Sequence, residues 1–495
     1  MALSNILKPL FQIKYWLVAF AGALFSLVVW KIMALDFRFG VAVTAGLIVL
    51  SLAMMAIHRI EGFLLLSLVF AIPLAGFSKW LMVQHVVAVA KGISFGLAEV
   101  LVVIAYLVWF AQIFIARTRP IPKFRKIDSL ILLLLFAQTV SLLGAPNKLL
   151  GSLDIIYNIK HILIFYFISH KIRYHHLKWV IVLLLFGIMV ESPLALYERL
   201  TGNVGIGRTK GAVDVDRFGS QYDVPGVEQL RAEGTTTDSH ALGEYLAMLL
   251  PVPFVLMMMR FIGPRTRLVL AGILVLGVGA LIVTFSRAGW VSFGLAAIYA
   301  VAVMTLVWRN FRTVFATLVI VVVVSAVYPK VYEYFFVRFM EAPSEILQSR
   351  YSMNWTALGI WKQNFLFGYG PANYMDALSD PSVTIYGPDW LPVHNAFLFI
   401  ASESGLVGVV AFFGIIFLAM YRCFECLRCD EKWVRAMSLA VLAALIAYLL
   451  DGLTNPTFRD PVPYALLWVY LALGVAFKRL ASEGVKLTGV SPIHG

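Results

Sequence analysis

Apolar runs of about 20 residues recur along almost the whole chain, the length an α-helix needs to cross the hydrocarbon core of a bilayer. No other feature restricts the fold as strongly. A chain in lipid finds no water for its backbone N–H and C=O groups, so only helices or a closed barrel can span. The runs are continuous rather than alternating, which selects helices. Composition agrees: of 495 residues, 61% are hydrophobic and 14% charged, with a mean hydropathy of +0.86. A soluble domain carries about a quarter charged residues.

The sequence therefore predicts an all-α polytopic membrane protein of about 14 (12–14) transmembrane helices. The spans read near 15–34, 38–57, 62–82, 93–116, 127–145, 153–170, 177–196, 240–259, 266–285, 289–307, 313–328, 394–420, 434–451 and 460–477. The start, with Lys8 and Lys14 ahead of an apolar run, reads as a retained first helix rather than a removable signal. With the N-terminus cytoplasmic, the inner loops hold 23 lysines and arginines, among them Arg117, Arg119, Lys123, Arg125, Lys126, Lys171, Arg173, Arg260 and Arg265. The short outer loops hold seven: Lys31, Arg38, Lys79, Lys91, Lys148, Arg287 and Arg459. That asymmetry is what the positive-inside rule expects, and it places both termini in the cytoplasm.

The same rule accounts for the net charge of +13. No basic stretch is interleaved with aromatics on a soluble domain, so nucleic acid is excluded as a partner. The three cysteines, Cys423, Cys426 and Cys429, fall in one inner stretch. They read as cytoplasmic thiols, neither a disulfide framework nor a complete zinc set. No metal or cofactor is expected.

Two long loops fall on the outer side and divide the chain. Residues 1–196 are N-terminal transmembrane helices, and 197–239 the first outer loop. Residues 240–328 are transmembrane helices with the Arg287 turn, and 329–393 the larger outer loop. Residues 394–477 are the C-terminal transmembrane helices, and 478–495 a cytoplasmic tail. Long loops on one side of a bundle are where function concentrates.

Four basic residues lie on that side, close to the membrane plane. Arg231 precedes the eighth span, Arg287 sits in Thr284-Phe-Ser-Arg-Ala-Gly-Trp290, Arg350 lies in the larger loop, and His394 opens the twelfth span. The planar guanidinium fork binds phosphate oxygens in pairs and stays charged. Such groups suit a leaving diphosphate, and a histidine suits removal of a hydroxyl proton. The plainer reading is that an arginine flanking a span anchors to headgroups, which fits Arg287 beside Trp290, and that a lone histidine at a helix start is structural. Outer arginines run against the positive-inside bias, however, and these are placed together.

Glu99, Asp154, Glu191, Glu244 and Glu403 read as lying in the outer halves of their spans, with Lys160 and His161 near mid-span. Such residues face a cavity or a partner. Glu244, Glu403 and Lys160 are possible supporting residues of a hydrated pocket, or members of structural pairs.

Residues 230–415 resemble the O-antigen ligase and Wzy-type polysaccharide polymerase superfamily. The resemblance runs through Arg231 to Gly234, Ser286-Arg-Ala-Gly-Trp290, Arg350 with Trp361, Phe367-Gly-Tyr-Gly370 and Tyr374, then His394-Asn-Ala-Phe-Leu398 and Glu403-Ser-Gly-Leu-Val-Gly408. It implies a GT-C-like fold in the bacterial inner membrane with a periplasmic site. It implies an inverting, metal-independent transfer from an undecaprenyl-diphosphate-linked glycan donor. The acceptor hydroxyl would belong to a glycan, a lipid A core or a protein, with membrane lipid around the site. By motif position His394 is the general base, and Arg231, Arg287 and Arg350 bind the donor. About twelve spans are usual in that superfamily, and the stretch between Gly370 and His394 has no counterpart in its pattern. A polytopic transporter or flippase of lipid-linked polysaccharide is the alternative. It would explain many spans and intramembrane charges, but neither the two long loops nor the His-Asn block.

Overall fold

The structure is a computed structural model that describes residues 60–74, 79–86, 89–115, 117, 120–202, 231–236, 238–327, 344–387, 391–456 and 460–488. The expected spans at 15–34 and 38–57, most of the first long loop and the start of the second lie outside these residues. Contacts divide the chain into Met1–Leu64 and Leu65–Gly495. The first of these units is described only at 60–64, where a helix begins; everything below belongs to the second.

Helix α1 is Ile60–Phe70, followed by the antiparallel strands β1 (Lys79–Val86) and β2 (Val89–Phe95). Then come α2 (Leu97–Phe110, continued by a π turn over Ala111–Ile115), α3 (Lys126–Gly144), α4 (Lys148–Lys171) and α5 (Leu177–Thr201). The middle of the chain gives α6 (Ser239–Leu249), α7 (Pro251–Met258), α8 (Pro264–Val283), α9 (Arg287–Leu306) and α10 (Arg312–Val327). The last elements are α11 (Ser344–Gln363), α12 (Tyr374–Leu378), α13 (Ala396–Glu425), α14 (Lys432–Asp451) and α15 (Pro461–Thr488).

Among the described residues 10 helices are long and apolar enough to cross a membrane. One expected span differs from the sequence reading. The run at 62–82 is helical only to Phe70; the chain passes Pro73 and pairs as a hairpin, from Lys79 opposite Phe95 to Val86 opposite Val89. Pro73 lacks the N–H that would continue the helix. Beyond it Lys79, Gln84 and Lys91 interrupt β-branched residues that favour strand. The all-α expectation is corrected to that extent. The run at 313–328 is helical over Arg312–Val327, as far as the described residues extend there.

The core is built on α6 and α7, whose stretch Ala241–Met258 is buried along its whole length. Tyr470 of α15 donates its hydroxyl to the Met248 carbonyl (3.1 Å), tying the buried helices together. Loops gather at two ends. At the arginine- and lysine-rich end, the Tyr174 hydroxyl meets Glu431 at 2.5 Å, Trp308 Nε1 donates to the Leu427 carbonyl at 2.9 Å, and Arg173 pairs with Glu483 at 3.1 Å. At the opposite end Asn147 N–H donates to Asn373 Oδ1 (2.8 Å), and Ala396 N–H donates to the Gly452 carbonyl (2.7 Å).

The largest departure from regular structure lies inside α13. Gly405 has φ +64 and ψ −169, so the helix is broken there. A break in a transmembrane helix frees backbone groups that lipid cannot satisfy. Here residues 365–370 satisfy them. Tyr369 N–H and Gly370 N–H donate to the carbonyls of Ser402 (2.8 Å) and Glu403 (3.1 Å), while Leu406 N–H and Val407 N–H donate to those of Phe365 (2.9 Å) and Leu366 (3.1 Å). Ser141 Oγ of α3 donates to the Glu403 carbonyl at 2.7 Å, and the Ser402 hydroxyl donates to the Ala357 carbonyl of α11 at 3.0 Å. The joint therefore locks α11 and the loop after it onto the first part of α13.

A Cβ at Gly405 would sit 2.3 Å from the Leu366 backbone, in a left-handed conformation. Left-handed backbone and overpacking together cost about 2–5 kcal/mol. Gly405→Ala is expected to lower the thermal midpoint of the detergent-solubilised protein markedly. Gly272→Ala, where nothing lies within 4 Å, should leave it nearly unchanged. Equal midpoints for the two variants would remove the joint from the stability argument.

Candidate active site

Of the helix N-termini capped at the end opposite the basic turns, three stand beside the expected cations. Asp238 caps α6, its Oδ1 accepting from His240 N–H (2.7 Å) and Ala241 N–H (2.9 Å). Ser286 caps α9, with Oγ accepting from Gly289 N–H at 3.3 Å. Asn395 caps α13, with Oδ1 accepting from Leu398 N–H at 3.1 Å. Each cap sits within eight residues of one of the expected cations: Arg231 lies upstream of Asp238, Arg287 directly follows Ser286, and His394 directly precedes Asn395. His394 thus stands just before α13 rather than within it. Arg350 is placed by helix α11 inside the larger loop.

These residues share one neighbourhood. Arg231 Nε donates to the Thr284 carbonyl at 3.1 Å, in the turn that leads into Arg287, and its Nη1 reaches His240 Nε2 at 3.3 Å. Phe285 in that turn has φ +53, a left-handed conformation unusual for a residue with a side chain. Strain of this kind clusters at functional sites. Burial lowers the Arg350 guanidinium from its ordinary value, and the charge of Arg287 lowers it further. Burial first, and then the charge of Arg350, lower the His394 imidazole, with Asp238 and the bond to the Pro392 carbonyl acting in the opposite sense. Arg350 is therefore close enough to feel Arg287, and His394 to feel Arg350 and Asp238, while Arg231 is tied to the turn that leads into Arg287.

The His394 ring is held by a backbone carbonyl. Its Nδ1 lies 3.1 Å from the Pro392 carbonyl. A carbonyl can only accept, so in the neutral ring Nδ1 carries the hydrogen and Nε2 the lone pair. The lowered imidazole keeps that neutral form populated further into acid.

Of the supporting candidates, Glu403 is buried in the joint, where Oε1 accepts from Tyr374 N–H at 3.3 Å. Lys160 forms a 2.8 Å ion pair with Glu99 and lies 4.6 Å over the Tyr157 ring, within the N-terminal helices. Glu244 is buried on α6, near enough to Tyr448 of α14 for charge to be felt. Arg199, in the last turn of α5, stacks its guanidinium over the Phe285 ring at 5.6 Å and brings a further cation to the arginine turn. Sequence reasoning passed over it and over Asp238. The available signal was the same for Arg199 as for the others, a cation on the side where the positive-inside bias disfavours one.

Histidine-selective NMR, with His394→Gln to assign the signal, should show His394 titrating below 6.5. Removing the neighbouring charge in Arg350→Ala should move that titration to higher pH. No movement would separate the two residues.

Residues 247–413 match the family model described as O-antigen ligase. The match includes Arg287, Arg350, His394 and the whole joint at Gly405; Arg231 lies just ahead of it. No curated protein matches the chain. The segment 247–413 is thus similar to the O-antigen ligase family, and the 10 long apolar helices among the described residues fit a multi-pass membrane protein.

Proposed function

We propose that this protein is a membrane glycosyltransferase of the ligase or polymerase type, moving a glycan from an undecaprenyl-diphosphate carrier to an acceptor hydroxyl on the periplasmic side. The observation that carries the reading is a chain of neighbours: Arg231 bonds to the turn that leads into Arg287, Arg350 feels the charge of Arg287, and His394 feels that of Arg350 while its Nδ1 rests against the Pro392 carbonyl. The arginines hold the diphosphate and stabilise the charge that grows on it as the glycosidic C–O bond breaks. His394 Nε2 takes the acceptor proton as the acceptor oxygen bonds to the anomeric carbon from the opposite face. The bonding pair leaves with the carrier diphosphate, the configuration inverts, and the imidazolium later returns its proton to water. Fixed guanidinium charge stands where a metal could otherwise neutralise phosphate, so the reaction is proposed as metal-independent. The carrier, the acceptor side and an inner-membrane location with both termini cytoplasmic belong to the same proposal.

In a transfer assay with purified protein and a lipid-diphosphate-linked oligosaccharide, His394→Ala should lose on the order of 10²–10⁴ in rate, as for loss of a general base. Binding of the donor should be largely kept, and chelator should leave the wild type unaffected. Near-normal transfer by His394→Ala would remove the base assignment.

Sidedness has its own test. In a background lacking Cys423, Cys426 and Cys429, Ser382→Cys should react with an impermeant maleimide on intact spheroplasts. Lys432→Cys, at the basic end, should react only after permeabilisation. The reverse pattern would place the site in the cytoplasm.

A further inference from the structure

Helix α5 ends with two buried carboxylates, Glu191 and Glu198, both at most 1% exposed. Seven residues apart, they fall on one helical face. That face meets the short segment that carries Arg231. Glu198 Oε2 accepts from two successive backbone groups, Glu233 N–H and Gly234 N–H, each at 2.9 Å. Glu191 Oε2 accepts from Thr235 N–H at 3.0 Å, and its Oε1 accepts from the Thr235 hydroxyl. Three consecutive backbone N–H groups are thus held by two carboxylates. The curl this needs is supplied by Gly234 at φ +56, where a Cβ would lie 2.3 Å from Glu191 Oε2.

On its other side the segment is pinned to the turn between α8 and α9. Ala232 N–H donates to the Val283 carbonyl at 3.2 Å, and Arg231 Nε donates to the Thr284 carbonyl at 3.1 Å. The backbone between the carboxylates and that turn has little freedom left, and Arg231 stands at its end. We propose that Glu191 and Glu198 are positioning residues for Arg231, acting through the backbone of residues 233–235 to hold its guanidinium at the donor diphosphate beside Arg287. This rests on the proposed glycosyl transfer. It adds that donor affinity is set from α5, outside the segment that matches the family.

Charge-assisted hydrogen bonds of this kind are worth enough that Glu198→Ala should raise the donor KM about tenfold, with kcat at saturating donor changed far less. Glu198→Gln retains one carbonyl oxygen able to accept from both N–H groups and should stay close to wild type. The deciding measurement is a double-mutant cycle in full-length protein with an undecaprenyl-diphosphate-linked oligosaccharide. In an Arg231→Ala background, Glu198→Ala should add nothing to the donor KM, because the residue it positions is gone. Thr235→Val, which removes the hydroxyl contacts to Glu191 and to the Pro73 carbonyl but keeps the backbone N–H, should give a smaller rise, and it keeps the test available if Glu198→Ala does not fold. Additive effects in the cycle, or a normal donor KM in Glu198→Ala alongside a raised one in Arg231→Ala, would overturn the inference and leave the proposed function standing. An unchanged donor KM in Arg231→Ala would strike the proposed function itself and the inference with it.

Discussion

The break in α13 is the constraint from which the arrangement of the site follows. A helix interrupted inside a membrane protein exposes donors and acceptors that must be met by protein. The stretch Phe365–Gly370 meets them with backbone groups of its own. Because those residues follow directly on α11, the joint fixes the helix that carries Arg350 against the helix that His394 precedes. Ser402 adds a second tie between the same two helices, through the Ala357 carbonyl. The charge of Arg350 is felt at His394 because of a backbone interlock away from either side chain.

The segments that carry the resemblance divide into two kinds. Arg287, Arg350 and His394 are the basic groups of the candidate site. Phe367-Gly-Tyr-Gly370 and Glu403-Ser-Gly405 are the two halves of the joint. A Cβ on Gly368 would meet the Glu403 carbonyl carbon at 2.4 Å, which is why small residues stand on both sides. The carboxylate of Glu403, which read as a possible pocket residue, turns toward the Tyr374 backbone and serves the same interlock.

Much of the bundle was legible because burial in lipid writes itself into the chain as length and continuity, as at α3, α5, α8, α9 and α14. The hairpin at Lys79–Phe95 was not. Hydropathy averaged over a window cannot tell a strand rich in valine from the tail of a helix, and the decisive residue was the single Pro73. The four cations could be picked out from their side of the membrane and from the family resemblance. The backbone that sets their positions could not, since it depends on the turn at Phe285 and on the pairing of residues 365–370 with a helix break. Glu198 was invisible for a related reason. Its partners are backbone N–H groups, and backbone carries no signature of its own in a sequence.

The helix starts capped by neutral side chains beside the cations have a bearing on turnover. The N-terminal ends of α9 and α13, capped by Ser286 and Asn395, add partial positive charge to the end of the bundle that already holds the arginines, whereas that of α6 is offset by Asp238. A glycosylated carrier diphosphate bears less negative charge than the free diphosphate left after transfer. Under the proposed reaction, the field that helps the bond break holds the spent carrier more firmly than the loaded one. Chemistry is then no longer the natural bottleneck. Departure of the spent lipid into the bilayer becomes the slow step, and the enzyme is subject to inhibition by its own lipid product.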